Sequence, residues 1–116
     1  MMSSIRAISF DCADQRRVTE FWAAVLGYVL DEHEALVAPD GRGPALDFQP
    51  VAEGKTVKNR VHLDLTPHGP MQAEVDRLIS LGARRLTHIG NGPEHGFTVM
   101  QDPEGNEFCV EQPREA

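Results

Sequence analysis

Hydrophobic and polar residues alternate from Ile5 to Cys12, with Ile8, Phe10 and Cys12 on one side and Ala7, Ser9 and Asp11 on the other. A two-residue period is that of a half-buried strand. The period then changes. Val18, Phe21, Trp22, Val25 and Leu26 recur at helical spacing, which predicts a helix laying one apolar stripe on a sheet. Asp14 precedes it as an N-cap, and Gly27 follows as a C-terminal cap. Short strands are expected around 28–31, 34–38 and 45–49, with Pro39-Asp40-Gly41 turning between the last two.

The same order returns. Arg60 to Leu65 reads as a strand with Val61, Leu63 and Leu65 on one face and Arg60, His62 and Asp64 on the other. Met71, Val75, Leu78 and Ile79 form the stripe of a second helix, which Gly82 ends. Strands follow near 84–89, 96–100 and 107–111, the last two joined by the turn sequence Asp102-Pro103-Glu104-Gly105-Asn106. The helix-closing pairs Leu26-Gly27 and Leu81-Gly82 lie 55 positions apart, and the same shift lays Ile5-Arg6-Ala7-Ile8 on Arg60-Val61-His62-Leu63. Such an internal repeat predicts two βαβββ modules. Module one spans about 5–50 and module two about 59–112, with a polar, aperiodic linker at about 51–58. The expected fold is α+β, a single domain in which the modules form a curved mixed sheet around a cleft, with both helices on its outer face.

Composition narrows the function. The 116 residues are 41% hydrophobic and 25% charged, which is ordinary for a soluble globular protein. A formal net charge of -7, with basic residues scattered, predicts no nucleic-acid partner. The longest apolar run, Phe21 to Leu26, is far too short for a membrane span, and the first residues carry no apolar stretch of signal-peptide length. No membrane partner and a cytoplasmic location are expected. Cys12 and Cys109 show no CxxC spacing and are expected to be reduced thiols.

Candidate chemistry lies on the faces turned away from the helices. His62 and Asp64 share one strand face, but two residues apart their Cβ atoms stand roughly 7 Å from each other, so no direct contact is expected without a bend. Asp11 shares the corresponding face of the first strand. If Thr98 and Met100 face the helix, Phe97 and Val99 supply an apolar wall for a small molecule. Trp22, spaced with Val18 and Val25, reads as core. Gly90 to Gly96, with three glycines, precedes no helix and reads as a loop at the cleft mouth rather than a phosphate cradle.

These features together resemble the glyoxalase/bleomycin-resistance/dioxygenase, or vicinal oxygen chelate, superfamily. The resemblance rests on Asp14…Phe21-Trp22…Leu26-Gly27, the His-bearing strand at His62, and Asp102-Pro103-Glu104-Gly105-Asn106. Thr56 to Leu65 and Asp102 to Val110 are similar to its glyoxalase-like branch. The resemblance implies a cleft holding a divalent metal, with ligands from the first and last strands of each module, and a homodimer. Carried over by position, the second-module histidine is His62, whereas the first-module histidine falls on Ala7. With Gly105-Asn106 as anchor, a ligand glutamate falls on Cys109. The remaining ligand falls on Asp47 or Gln49. Glu107 and Glu111 share the parity of Cys109.

Ala7 supplies no donor, so no metal is expected. If one binds, whether zinc, iron, nickel or manganese, His62, Gln49 and Cys109 are its ligands. The ligand-binding cleft is expected to use His62, Gln49, Asp47, Asp64, Cys109, Asp11, Phe97 and Glu111. The expected function is binding of a small organic molecule between the modules without the full family metal site. The alternative is a metal-dependent lyase, isomerase or dioxygenase-type enzyme with a reduced ligand set.

Overall fold

The computed structural model describes residues 2–113. The chain divides between Gly54 and Lys55 into two compact units, each with its own four-stranded mixed sheet and one helix.

The first unit runs β1 (Ala7–Cys12), α1 (Gln15–Leu26), β2 (Val29–Leu30), β3 (Leu36–Val37) and β4 (Ala45–Pro50). Its sheet order is β1-β4-β3-β2, with β1 parallel to β4 and the other pairs antiparallel. The Asp14 carboxylate accepts a hydrogen bond from the Arg17 amide at 3.1 Å, and Gly27 ends the helix in the left-handed region at φ 68°. A side chain there would be strained, which is why glycine occupies it. Val18, Phe21, Trp22 and Val25 are buried. Phe10 of β1 stacks on Trp22 at 6.4 Å and on its strand partner Phe48 at 5.3 Å. The Gln15 amide donates to the Phe48 carbonyl at 2.8 Å and fixes the start of α1 over β4.

Two strands of this unit are shorter than the alternation predicts. The expected 28–31 and 34–38 contract to Val29–Leu30 and Leu36–Val37. Asp31 is the reason. Its carboxylate accepts from the His33 and Ala35 amides at 2.8 and 3.0 Å, which winds the chain into a turn. The Ala35 and His33 amides hold this carboxyl below the usual carboxylate range.

The second unit repeats the plan with β5 (Leu63–Leu65), α2 (Met71–Ser80), β6 (Arg84–Ile89), β7 (Phe97–Gln101) and β8 (Glu107–Glu111). Sheet order is β5-β8-β7-β6, again with one parallel pair, β5 with β8. Met71, Val75 and Leu78 bury one face of α2, but Ile79, expected in that stripe, is 44% exposed. Pro70 offers no side-chain cap at the helix start. A distant residue does so instead. The Glu94 carboxylate accepts from the Met71 and Gln72 amides at 2.7 and 3.1 Å, filling orphan donors of the first turn. The Gly90–Gly96 loop is thereby tethered, and the Gly92 carbonyl lies 2.8 Å from His88 Nε2.

The turn between β7 and β8 is built on a buried carboxylate. Asp102 accepts from the Glu104 and Asn106 amides at 2.9 and 2.8 Å and from the Asn106 side chain at 2.9 Å. Among the described residues, no helix is long and apolar enough to cross a membrane.

Candidate functional site

The strand carrying the candidate histidine starts later than its alternation suggests. The expected 60–65 begins at Leu63, and Val61, expected to be buried, is 76% exposed. The chain bends at Arg60 and Val61. Before the bend it is strapped to β8: the Asn59 amide donates to Glu107 Oε1 at 3.1 Å, and the Glu107 amide returns a bond to Asn59 Oδ1 at 3.0 Å. Lys58 Nζ donates to the other Glu107 oxygen at 3.0 Å. The Lys58 ammonium first, and the Asn59 amide after it, hold the Glu107 carboxyl below the usual range.

The bend changes what His62 can do. Its Nδ1 lies 3.1 Å from Asp64 Oδ1, a direct contact that a regular strand does not allow. A carboxylate only accepts, so in this pair Nδ1 carries the proton, and in the neutral imidazole Nε2 is the acceptor. Asp64 in turn is the direct β5–β8 partner of Cys109. Cys109 is the partner of Val99 on β7, and Glu111 is the partner of Phe97. One face of the second sheet therefore carries a contiguous patch of His62, Asp64, Cys109, Val99, Glu111 and Phe97.

That face is concave. His62, Asp64, Cys109, Glu111, Phe97 and Val99, with Lys58, Glu107 and Phe108, line a hollow of about 280 Å³, close to the lower end of small-molecule sites. Thr98 and Met100, the intervening β7 residues, are 3% and 0% exposed. Cys109 is a free thiol, 6% exposed. Burial pushes its pKa up, and the negative charges of Asp64, Glu111 and Glu107 add to the shift against opposition from Lys58. The thiol is therefore neutral at pH 7.

Five of the sequence candidates, His62, Asp64, Phe97, Cys109 and Glu111, thus come together within the second module. Asp11, Asp47 and Gln49 belong to the first. They stand in adjacent strands, with Asp11 opposite Gln49 and Asp47 opposite Ser9, on the sheet face away from Phe10 and Trp22. Lys58 was not expected at a site. It sits in the segment that reads as linker, and its partnership with Glu107 becomes visible only once β5 and β8 are known to pair.

Within the second module, three metal donors converge. Ligand atoms of His62, Asp64 and Cys109 lie within 4.8 Å of one another. Asp64 joins the expected His62 and Cys109 in this group. Imidazole, carboxylate and thiol suit zinc better than the harder manganese, and three protein donors leave a coordination position open. The residues fit such an ion, provided that binding displaces the Cys109 proton.

The sequence profile of the Glyoxalase-like domain family matches residues 7–111. The chain belongs to that family. No curated protein matches it. Among solved structures, a glyoxalase/bleomycin resistance protein/dioxygenase family enzyme from Burkholderia phytofirmans superimposes with a TM-score of 0.72 at 17% identity, covering 93% of this chain and 97% of that one. The fosfomycin resistance protein FosX of Listeria monocytogenes, in complex with Mn(II) and a dihydroxypropylphosphonic acid, gives 0.71 at 11% identity over 98% and 93%. TnmS3, an antibiotic binding protein from Streptomyces sp. CB03234, gives 0.61 at 23% identity over 97% and 98%. These likenesses establish the fold of the glyoxalase/bleomycin-resistance/dioxygenase superfamily.

Proposed function

We propose that this glyoxalase-like protein binds a small organic molecule in the hollow of its second module. The observation that carries the reading is the pairing of an apolar wall, Phe97 and Val99, with polar groups arriving from two other strands: Asp64 on β5, and Cys109 and Glu111 on β8. Specific small-molecule sites combine apolar area with a few placed polar groups in this way. His62 Nε2 can accept a hydrogen bond from the ligand while Asp64 orients the ring, and the neutral Cys109 thiol offers a weak donor. That FosX binds a phosphonic acid and TnmS3 binds an antibiotic supports a ligand-binding role on this scaffold.

The test is a fragment library screened by ligand-observed NMR against the wild type and Val99→Trp, which fills the hollow. The reading requires hits that the folded variant loses. Hits bound equally by both proteins, or no hits at all, contradict it.

A second reading follows from the convergence of His62, Asp64 and Cys109. Here the site is that of a metal-dependent lyase, isomerase or dioxygenase-type enzyme. The bound ion would supply Lewis acidity. His62 would coordinate through Nε2 or, by giving up its contact with Asp64, through Nδ1, and Cys109 would lose its proton. Titration calorimetry with zinc and with manganese, on the wild type and Cys109→Ala, separates the readings. Near-stoichiometric zinc binding, accompanied by proton release and lost in the variant, supports the enzyme. Heats indistinguishable from dilution support binding without metal.

A further inference from the structure

Lys58 and Glu107 border a second hollow as well as the first. It measures about 350 Å³ and is lined mainly by polar side chains, Lys55, Thr56, Lys58, Gln101 and Glu107, with Gly105 beside them. All of these residues belong to the second compact unit. The function proposed above uses none of Lys55, Thr56 and Gln101.

The chain as a whole carries a net charge of -7, yet from Lys55 to His62 it has no acidic residue. Two ammonium groups line this basin against one carboxylate. That carboxylate is already engaged through both oxygens: Glu107 Oε2 accepts from Lys58 Nζ at 3.0 Å and Oε1 from the Asn59 amide at 3.1 Å. Lys55 Nζ donates to the Val57 carbonyl, a neutral acceptor, and forms no ion pair among the described residues. Its charge therefore remains when that of Lys58 is set against Glu107. A lysine ammonium has three donors, so each of the two keeps donors to spare. The Thr56 hydroxyl and the Gln101 side-chain amide, which also line the basin, have no hydrogen-bond partner among the described residues. Positive charge and unspent donors thus meet in one concave place.

We infer that this basin is an oxyanion site, taking a phosphate or sulfate group between Lys55 and Lys58 with Thr56 and Gln101 as neutral donors. Lysine ammonium groups bind such groups as point charges, and the hydroxyl and amide fix the oxygens. The volume far exceeds one water's share of about 30 Å³, so the anion fits together with part of its hydration. The inference does not rest on the binding reading of the first hollow. Because Lys58 and Glu107 border both hollows, the anion arrives either free or as the head group of a ligand whose body lies against Phe97 and Val99.

The experiment is an amide-resolved ¹⁵N NMR titration at low ionic strength with inorganic phosphate, with phenyl phosphate, and with tetramethylammonium chloride as the cationic control. Phosphate is expected to give saturable shifts at Thr56, Lys58, Gln101 and Gly105 with a Kd of about 1 mM. Lys55→Gln, a change of one exposed side chain, weakens this about tenfold, whereas Lys55→Arg retains it. Phenyl phosphate that also shifts Phe97 and Val99 supports the site as a head-group subsite. Shifts confined to the basin with both phosphates support a site for the free anion. No saturable shift with either phosphate, equal affinity in the wild type and Lys55→Gln, or the same shifts with tetramethylammonium would overturn the inference and leave the first hollow untouched.

Discussion

Asp64 stands directly opposite Cys109 across the parallel β5–β8 pair, as Ser9 stands opposite Asp47 across β1–β4. The 55-residue repeat carries Ser9 onto Asp64. Ladder register therefore makes Asp47 the counterpart of Cys109, while Gln49 corresponds to Glu111. The modules have diverged at these positions. The second offers His62, Asp64 and Cys109 where the first offers Ala7, Ser9 and Asp47, which is why the candidate chemistry concentrates in one module.

Trp22 is 1% exposed and packs edge-on against Phe21 at 5.3 Å and in a stack with Phe10 at 6.4 Å. Trp22→Ala is expected to cost about 3–5 kcal/mol, since removing a buried indole leaves a cavity that its neighbours fill only in part. Denaturant titration checks this. A loss below about 1 kcal/mol would mean that the ring is not core.

Glu94 reaches from the β6–β7 loop to the first amides of α2. Replacing it with alanine is expected to cost about 0.5–2 kcal/mol, the usual range for a lost N-terminal cap. The loss is local as well as global: hydrogen exchange at Met71 and Gln72 should accelerate, while exchange in β8 changes only with overall stability. Unchanged exchange at those two amides would show that the cap is not formed in solution.

The Lys58–Glu107–Asn59 strap gives a pH dependence with a definite sign. The folded pKa of Glu107 is lowered, chiefly by the Lys58 ammonium. The unfolded chain therefore takes up this proton more readily than the folded one. The stabilisation is full above the ordinary glutamate pKa and is lost as pH falls through the depressed folded value. Glu107→Gln should lower stability by about 1 kcal/mol or less at pH 7 and flatten the acid limb of the stability profile. Parallel acid limbs for the two proteins would contradict the pairing.

His62 and Asp64 are both about half exposed, at 44% and 47% for their side chains. An exposed pair contributes little to folding, so His62→Ala should change stability by less than about 1 kcal/mol. Its effect belongs on ligand affinity, measured by titration of a hit from the fragment screen. A large stability loss with unchanged affinity would make His62 a structural residue.

Much of the fold was legible because each module is locally consistent. The shift from two-residue to helical period at Asp14 marks α1, and Gly27 and Asp102 to Asn106 mark a helix end and a turn whose geometry only those residues satisfy readily. The shortened strands share one cause, side chains that capture backbone amides. Asp31 shortens β2 and β3 by taking the His33 and Ala35 amides, and Glu107 holds Asn59 outside the ladder, so the chain bends before β5. A period count sees alternation and not a competing hydrogen bond. The His62–Asp64 contact depends on that bend, and the α2 cap depends on a residue 23 positions away. Neither long-range partner leaves a local signal. Burial parity on β7, by contrast, needs only neighbours, and Thr98 and Met100 lie inside while Phe97 and Val99 line the hollow.

The most direct test of the central claim is an amide-resolved ¹⁵N NMR titration of the wild type with the tightest fragment hit. Binding in the second-module hollow predicts shift changes concentrated at Asp64, Phe97, Val99, Cys109 and Glu111, with α1 and β2 undisturbed. Saturable changes confined to residues outside that set, with the hollow silent, would contradict the account.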